Sequence, residues 1–135
     1  MNFSIEHIGL ASSDTTTLKD WYVRTLGAHE VFSDDKSPPA FMLTLPGGAA
    51  IEIYPADSES PLTANNRLAG WRHLAICVES IEAARSELAV RGVAFDDPIK
   101  PAGGGGRVLF LKDPEGNLLH LVERPSGHFM LRGER

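Results

Sequence analysis

The sequence predicts an α+β fold in which one supersecondary unit, running strand, helix, strand, strand, strand, is used twice. Three observations carry this. Landmarks recur at a nearly constant interval: His73 lies 66 residues after His7, Gly92 65 after Gly27, Gly116 68 after Gly48 and His120 68 after Glu52. Each copy opens on a short apolar strand with a central histidine, IEHIGL in the first and WRHLAICV in the second. Each closes on a hairpin whose return strand holds a further metal-capable side chain, Glu52 in AAIEIYP and His120 in NLLHLVE. The 135 residues fit one domain, 1–135, with repeat one over 3–57, repeat two over 70–124 and a boundary near residue 65.

In the first copy, residues 3–11 read as a strand, with Ile8 and Leu10 on one face and His7, Gly9 and Ala11 on the other. Because neither face is polar, the strand is expected to be covered on both sides. Ser13 or Asp14 offers an N-cap, Leu18, Trp21, Tyr22 and Leu26 recur at helical spacing, and Gly27 supplies the stop. HEVF then gives a strand and SDDKSPP a polar loop, and AFMLTL and AAIEIY form a hairpin through Pro46, Gly47 and Gly48. The polar, proline-broken residues 55–70 connect the copies.

The second copy repeats the plan. GWRHLAICV is the strand, Ser80 the N-cap, and Ile81, Ala84 and Leu88 the buried stripe of a helix that Gly92 ends. Residues 93–96 read as a weak strand, PIKPAGGGG as a loop, RVLFLKD and NLLHLVE as strands joined by DPEG, and the tail from Pro125 as irregular. The four glycines 103–106 do not form a phosphate loop, since a strand rather than a helix follows them. Two readings stay open for them: a mobile loop over a pocket, or conformational slack.

Composition narrows the function classes. Hydrophobic residues make up 42% of the chain, enough for a core, and a net charge of -5 with pI near 5.5 and no basic cluster argues against nucleic acid as partner. No leader-like segment opens the chain and no apolar run approaches the roughly 20 residues a membrane span needs. A soluble, cytoplasmic protein is expected. The single cysteine, Cys77, cannot form an intramolecular disulfide; it shares strand parity with His73 and reads most simply as a buried core filler.

Strand alternation puts Glu52 on a face with Tyr54 and opposite Ile51 and Ile53, and puts His120 with Leu118 and Val122, opposite Leu119 and Leu121. A carboxylate within an apolar strand is costly to bury unless it is paired or binds a cation. A histidine can be satisfied as a neutral core residue, so each of the three taken singly is ambiguous. Jointly, His7, Glu52, His73 and His120 form a repeat-related set of three imidazoles and one carboxylate, which suits Zn, Ni, Co, Mn or Fe(II). His29 and His128 fall outside the repeat. Ala11, Tyr54, Trp71 and Cys77 are expected to line the substrate pocket.

Over about residues 3–124 the chain resembles the vicinal oxygen chelate superfamily, which includes glyoxalase I, fosfomycin- and bleomycin-resistance proteins, methylmalonyl-CoA epimerase and extradiol dioxygenases. The segments that carry the resemblance are EHIGL, WYVRTLG, HLAICVESIEAARSEL and, most specifically, FLKDPEGNLLHLVE. It implies two βαβββ modules forming a cupped mixed sheet, a metal inside, a homodimer and a small-molecule substrate. The family's metal positions fall on His7, Glu52, His73 and His120. His120 departs from the family, where a glutamate is usual and often serves as base; Glu123, of opposite parity, does not replace it. The resemblance thus leaves Glu52 as the catalytic base.

Glyoxalase I also places Arg and Asn four residues after its first two ligands to hold glutathione, and here those places are Ala11 and Ala56. The reading is a metal-dependent glyoxalase-like lyase or isomerase acting on a small substrate with vicinal oxygens. The alternatives are an extradiol-type Fe(II) dioxygenase and a non-catalytic antibiotic-sequestering resistance protein.

Overall fold

The computed structural model describes residues 1–59 and 62–131. The chain divides into two compact units, 1–61 and 62–135, so the division falls slightly before the expected position near residue 65. Residues 60 and 61 of the connection, and 132–135 of the tail, lie outside the described residues. Among the described residues no helix is long and apolar enough to cross a membrane.

The first unit contains β1 (His7–Ser12), α1 (Thr15–Leu26), β2 (His29–Ser33), β3 (Phe41–Thr44) and β4 (Ala50–Pro55), with strands in the order β1-β4-β3-β2. β1 runs parallel to β4, and the other neighbours are antiparallel. The second unit contains β5 (His73–Cys77), α2 (Ile81–Val90), β6 (Lys100–Pro101), β7 (Arg107–Lys112) and β8 (Leu118–Glu123), in the matching order β5-β8-β7-β6. β5 is likewise parallel to β8. The mixed sheet with one helix, expected twice from the sequence, is present twice.

Local chemistry explains the elements. Asp14 caps α1 by accepting the Thr17 amide at 3.1 Å, and Gly27, left-handed at φ 72°, lets the chain turn out of the last turn. Along β3 and β4 the alternate residues Phe41, Leu43, Ile51 and Ile53 are buried, as are Leu18, Trp21 and Tyr22 of α1. In the second unit Ile81 and Leu88 of α2 and Leu109, Leu111, Leu119 and Leu121 of the hairpin are the buried counterparts. Ala84, placed on that stripe by the sequence, is only half-buried.

Glu123 has a structural role. Its carboxylate accepts the Ile81 amide at 2.9 Å at the start of α2 and the Arg107 guanidinium at 2.8 Å, and Arg107 in turn reaches Glu82 at 2.7 Å. The Arg107 bonds hold the Glu82 carboxyl down at about 2. This confirms the opposite parities of His120 and Glu123.

Four expectations are corrected. β1 begins at His7 rather than residue 3 and is an edge strand with Ile8 46% exposed, so it is not covered on both faces. No strand forms over 93–96, because the Val93 amide turns back to the Leu88 carbonyl and closes α2. The partner of β7 is instead β6, within the segment read as a loop, and its Pro101 is tolerated at a sheet edge. Part of the tail is ordered as a 3-10 turn over Phe129–Leu131.

The turn between β6 and β7 closes with the Ala102 amide on the Gly106 carbonyl. Gly106, at φ 102°, lies so close to the Glu123 carbonyl that a Cβ there would overlap it, whereas Gly103 has open space around it. Arg124 donates to the Gly103 carbonyl at 2.7 Å, and His128 Nε2 donates to the Gly104 carbonyl at 2.6 Å. The loop is therefore fastened rather than slack.

Leu119→Ala is expected to lower unfolding free energy by about 2 to 5 kcal/mol, through lost burial and the cavity left behind, measured by urea denaturation. A loss below about 1 kcal/mol would contradict the packing described. Gly106→Ala should cost at least about 1 to 3 kcal/mol in the same assay, while Gly103→Ala should stay within about 0.5 kcal/mol of the parent.

Candidate functional site

The parallel pairings place the sequence-predicted ligands. Gly9 stands opposite Glu52 in the β1–β4 register, so His7, two residues earlier on the same face, lies diagonal to Glu52. Ala75 stands opposite His120 in the β5–β8 register, so His73 bears the same diagonal relation to His120. The two pairs are thus one motif built twice.

His7 Nε2 is 3.7 Å from Glu52 Oε1, and the two side chains are 37% and 38% exposed. Glu52 is therefore not a deeply buried carboxylate, and the burial cost argued from its apolar strand is smaller than the sequence suggested. The His73 and His120 rings lie 4.6 Å apart between centroids, with Phe110 5.0 Å from His120. Among the described residues, no three His, Cys, Asp or Glu side chains come together as a metal-holding group. The structure brings the four candidates together as two pairs.

The ring nitrogens are ordered alike in all three histidines. His7 Nδ1 is 2.8 Å from Glu6 Oε1, His73 Nδ1 is 2.8 Å from Asn66 Oδ1, and His120 Nδ1 is 3.3 Å from the Leu121 carbonyl. An oxygen acceptor requires Nδ1 to carry the hydrogen, which leaves the Nε2 lone pair available when the ring is neutral. His120 is buried at 7% exposure, and burial, aided by the neighbouring His73 and Arg124, pulls its pKa below the ordinary value against the opposing bond to Leu121.

A cleft of about 390 Å³ in the second unit is lined by His73, His120, Phe110, Lys100, Arg124 and the loop residue Gly103, among others. Of the residues expected to line a pocket, none borders this cleft. Tyr54 lies with its ring over Gly9, near Glu52, and Ala11 pairs with Tyr54 in register. Trp71 is 97% exposed ahead of β5. Cys77 is exposed, which overturns the core-filler reading: it ends an edge strand, on the same face as His73.

The sequence reading missed Phe110, Arg124, Lys100 and Asn66. Phe110 pairs with His120 across the β7–β8 hairpin, and Arg124 follows His120 by four residues with the same parity, so hairpin register would have found both. Lys100 was hidden in the segment read as loop. Asn66, seven residues before its partner in an irregular stretch, leaves no periodic signal.

The sequence profile of the glyoxalase/bleomycin resistance protein/dioxygenase superfamily matches residues 4–121, and the chain belongs to that superfamily. The Bacillus subtilis (strain 168) protein YwkD is 30% identical over 128 residues, covering 90% of this chain and 97% of that one. A probable lactoylglutathione lyase of Vibrio cholerae serotype O1 is 24% identical over 139 residues, covering 98% and 99% of the two chains. The crystal structure of a glyoxalase family protein from Enterococcus faecalis superposes with TM-score 0.75 at 27% identity, covering 89% of this chain and 97% of that one. The fold is the glyoxalase-like α+β fold of vicinal oxygen chelate proteins.

The depressed pKa of His120 has a consequence for stability. Above the unfolded-state value of 6.5 the ring is neutral in both states and stability is intact; as pH falls through 6.5 toward the lower folded value, the unfolded chain takes up the proton first and stability is lost. Urea midpoints between pH 8 and pH 5 should therefore fall in the parent and fall less in His120→Leu. Parallel curves would show that the ring titrates alike in both states.

Proposed function

We propose that His7, Glu52, His73 and His120 are ligands of one divalent metal ion, Zn, Ni, Co, Mn or Fe(II). On this reading the protein is a metal-dependent glyoxalase-like lyase or isomerase acting on a small substrate with vicinal oxygens. The observation that supports it most is the common ordering of the histidines, each with Nδ1 turned to an oxygen and Nε2 left as donor atom, the arrangement by which metal-bound imidazoles are oriented. Each pair alone supplies two ligands, and the repeat supplies the rest from the other pair, of the same chain or of a second copy in a homodimer.

When bound, such a metal supplies Lewis-acid polarisation of the substrate's oxygens. The chain's own residues do the remaining work. Glu52 is the only carboxylate of the four and is the acceptor for a proton leaving the carbon beside those oxygens. His120, kept neutral by burial, remains a lone-pair donor rather than a charge. The alanines at 11 and 56 provide no guanidinium or amide for a tripeptide, which favours a smaller substrate than a glutathione adduct.

The superfamily also includes resistance proteins, and a non-catalytic sequestering role is favoured by one observation, the cleft of about 390 Å³ beside His73, His120 and Phe110, whose lining can hold a small molecule without a metal. Metal analysis of the purified protein separates the two. About one divalent ion per chain is expected, with affinity reduced at least tenfold in His7→Ala and His73→Ala and about 10- to 100-fold in Asn66→Ala, which frees the His73 ring. Metal-free protein that takes up none of the five ions would sink the proposal. An activity screen over methylglyoxal hemithioacetals, catechols with oxygen uptake, and fosfomycin then assigns the reaction, and Glu52→Gln should abolish turnover in whichever assay responds.

A further inference from the structure

The cleft in the second unit has a charge that the chain as a whole does not. The protein carries a formal net charge of -5, yet among the described residues the side chains lining this cleft include Lys100, Arg124, His73 and His120 and no carboxylate. Lys100 stands opposite Val108 in the β6–β7 register, and its ammonium lies 5.7 Å from the centre of the Phe110 ring. No carboxylate among the described residues pairs with it. Arg124 directs Nη1 to the carbonyls of Gly103 and Gly105, at 2.7 Å from the first, and its Nε and Nη2 have no acceptor among the described residues. The backbone bonds hold the guanidinium at the rim, with its remaining hydrogens free for a further partner.

Two cations lining one opening, an ammonium over the Phe110 ring and a guanidinium fastened by backbone carbonyls, form the chemistry that receives a compact oxyanion. Low-dielectric walls such as Phe110 and Val108 strengthen the attraction, and no carboxylate among the described lining residues competes for it. We propose that Lys100 and Arg124 form an anion subsite, and that the substrate is a small acid whose carboxylate, phosphonate or phosphate group sits between them. Its vicinal oxygens then lie toward His73 and His120, which line the same cleft. The placement of those oxygens rests on the function proposed above; the anion subsite does not, because none of its groups requires a metal.

The test uses the metal-free full-length chain titrated with sodium phosphate and, separately, sodium glycolate, at constant ionic strength balanced with chloride. The readout is the ring proton resonances of His73 and His120, assigned with His73→Gln and His120→Gln. Saturable, one-site shifts of both rings are expected. Lys100→Met, at an exposed position where folding is not at stake, should weaken binding about tenfold, while Lys36→Met, an exposed lysine of the first unit, should leave it unchanged. Arg124→Met should weaken it further, provided its amide spectrum shows the fold intact.

Response to phosphate but not glycolate would place the substrate among phosphonates or phosphate esters, and the reverse would place it among carboxylic acids. Linear, non-saturating shifts, or equal losses in Lys100→Met and Lys36→Met, would overturn the subsite. Metal uptake measured on the same samples separates the two ideas. Anion binding without metal uptake leaves the subsite standing and removes the metal, and metal uptake without anion binding does the opposite.

Discussion

The structure depends on the register of a parallel strand pair. In each unit the first strand lies against the last, and side chains at paired positions point to the same side of the sheet. One face receives the helix and the core leucines and isoleucines; the other carries His7 and Glu52 in the first unit and His73 and His120, beside Phe110 and Val108, in the second. A slip of one residue would exchange the faces, burying a histidine under the helix and exposing Ile53 or Leu121. The burial that fixes the register thus also fixes the diagonal of His7 to Glu52 and of His73 to His120. The geometry of the two candidate pairs is a by-product of core packing, which is why it recurs in both copies.

The return strand β8 shows how alternation separates two kinds of work. His120 looks into the cleft, where burial above all, with the nearby Arg124 guanidinium, favours its neutral form. Glu123, three positions on, looks toward the helix, where the Ile81 amide and Arg107 hold it ionised. A carboxylate committed to capping α2 and anchoring Arg107 is not free to serve chemistry on the other face. The two side chains are close in sequence and belong to different parts of the molecule's physics.

Much of this was legible in the sequence because it rests on periodicity. The repeat offsets, the caps at Asp14 and Ser80 and the alternation in β4 and β8 named the elements and the four ligand candidates. Alternation says which residues share a face, however, and not whether that face is covered. Cys77 and Ile8 were misread for this reason. β6 escaped because two residues, one of them proline, carry no pattern; it is defined by its partner β7 and by the turn joining them. With it went Lys100, and with Lys100 the charge of the cleft.

The four consecutive glycines are not equivalent, although the sequence prints them alike. At 104, 105 and 106 the backbone takes positive φ, and at 106 the neighbouring carbonyl leaves no room for a side chain. Gly103 has neither restriction, yet it borders the cleft and lends its carbonyl to Arg124. Position 103 is thus where folding and recognition come apart. A side chain could be added there without straining the turn, altering the volume and polarity of the opening, so that ligand preference in this scaffold can drift at one residue while the three beside it stay fixed.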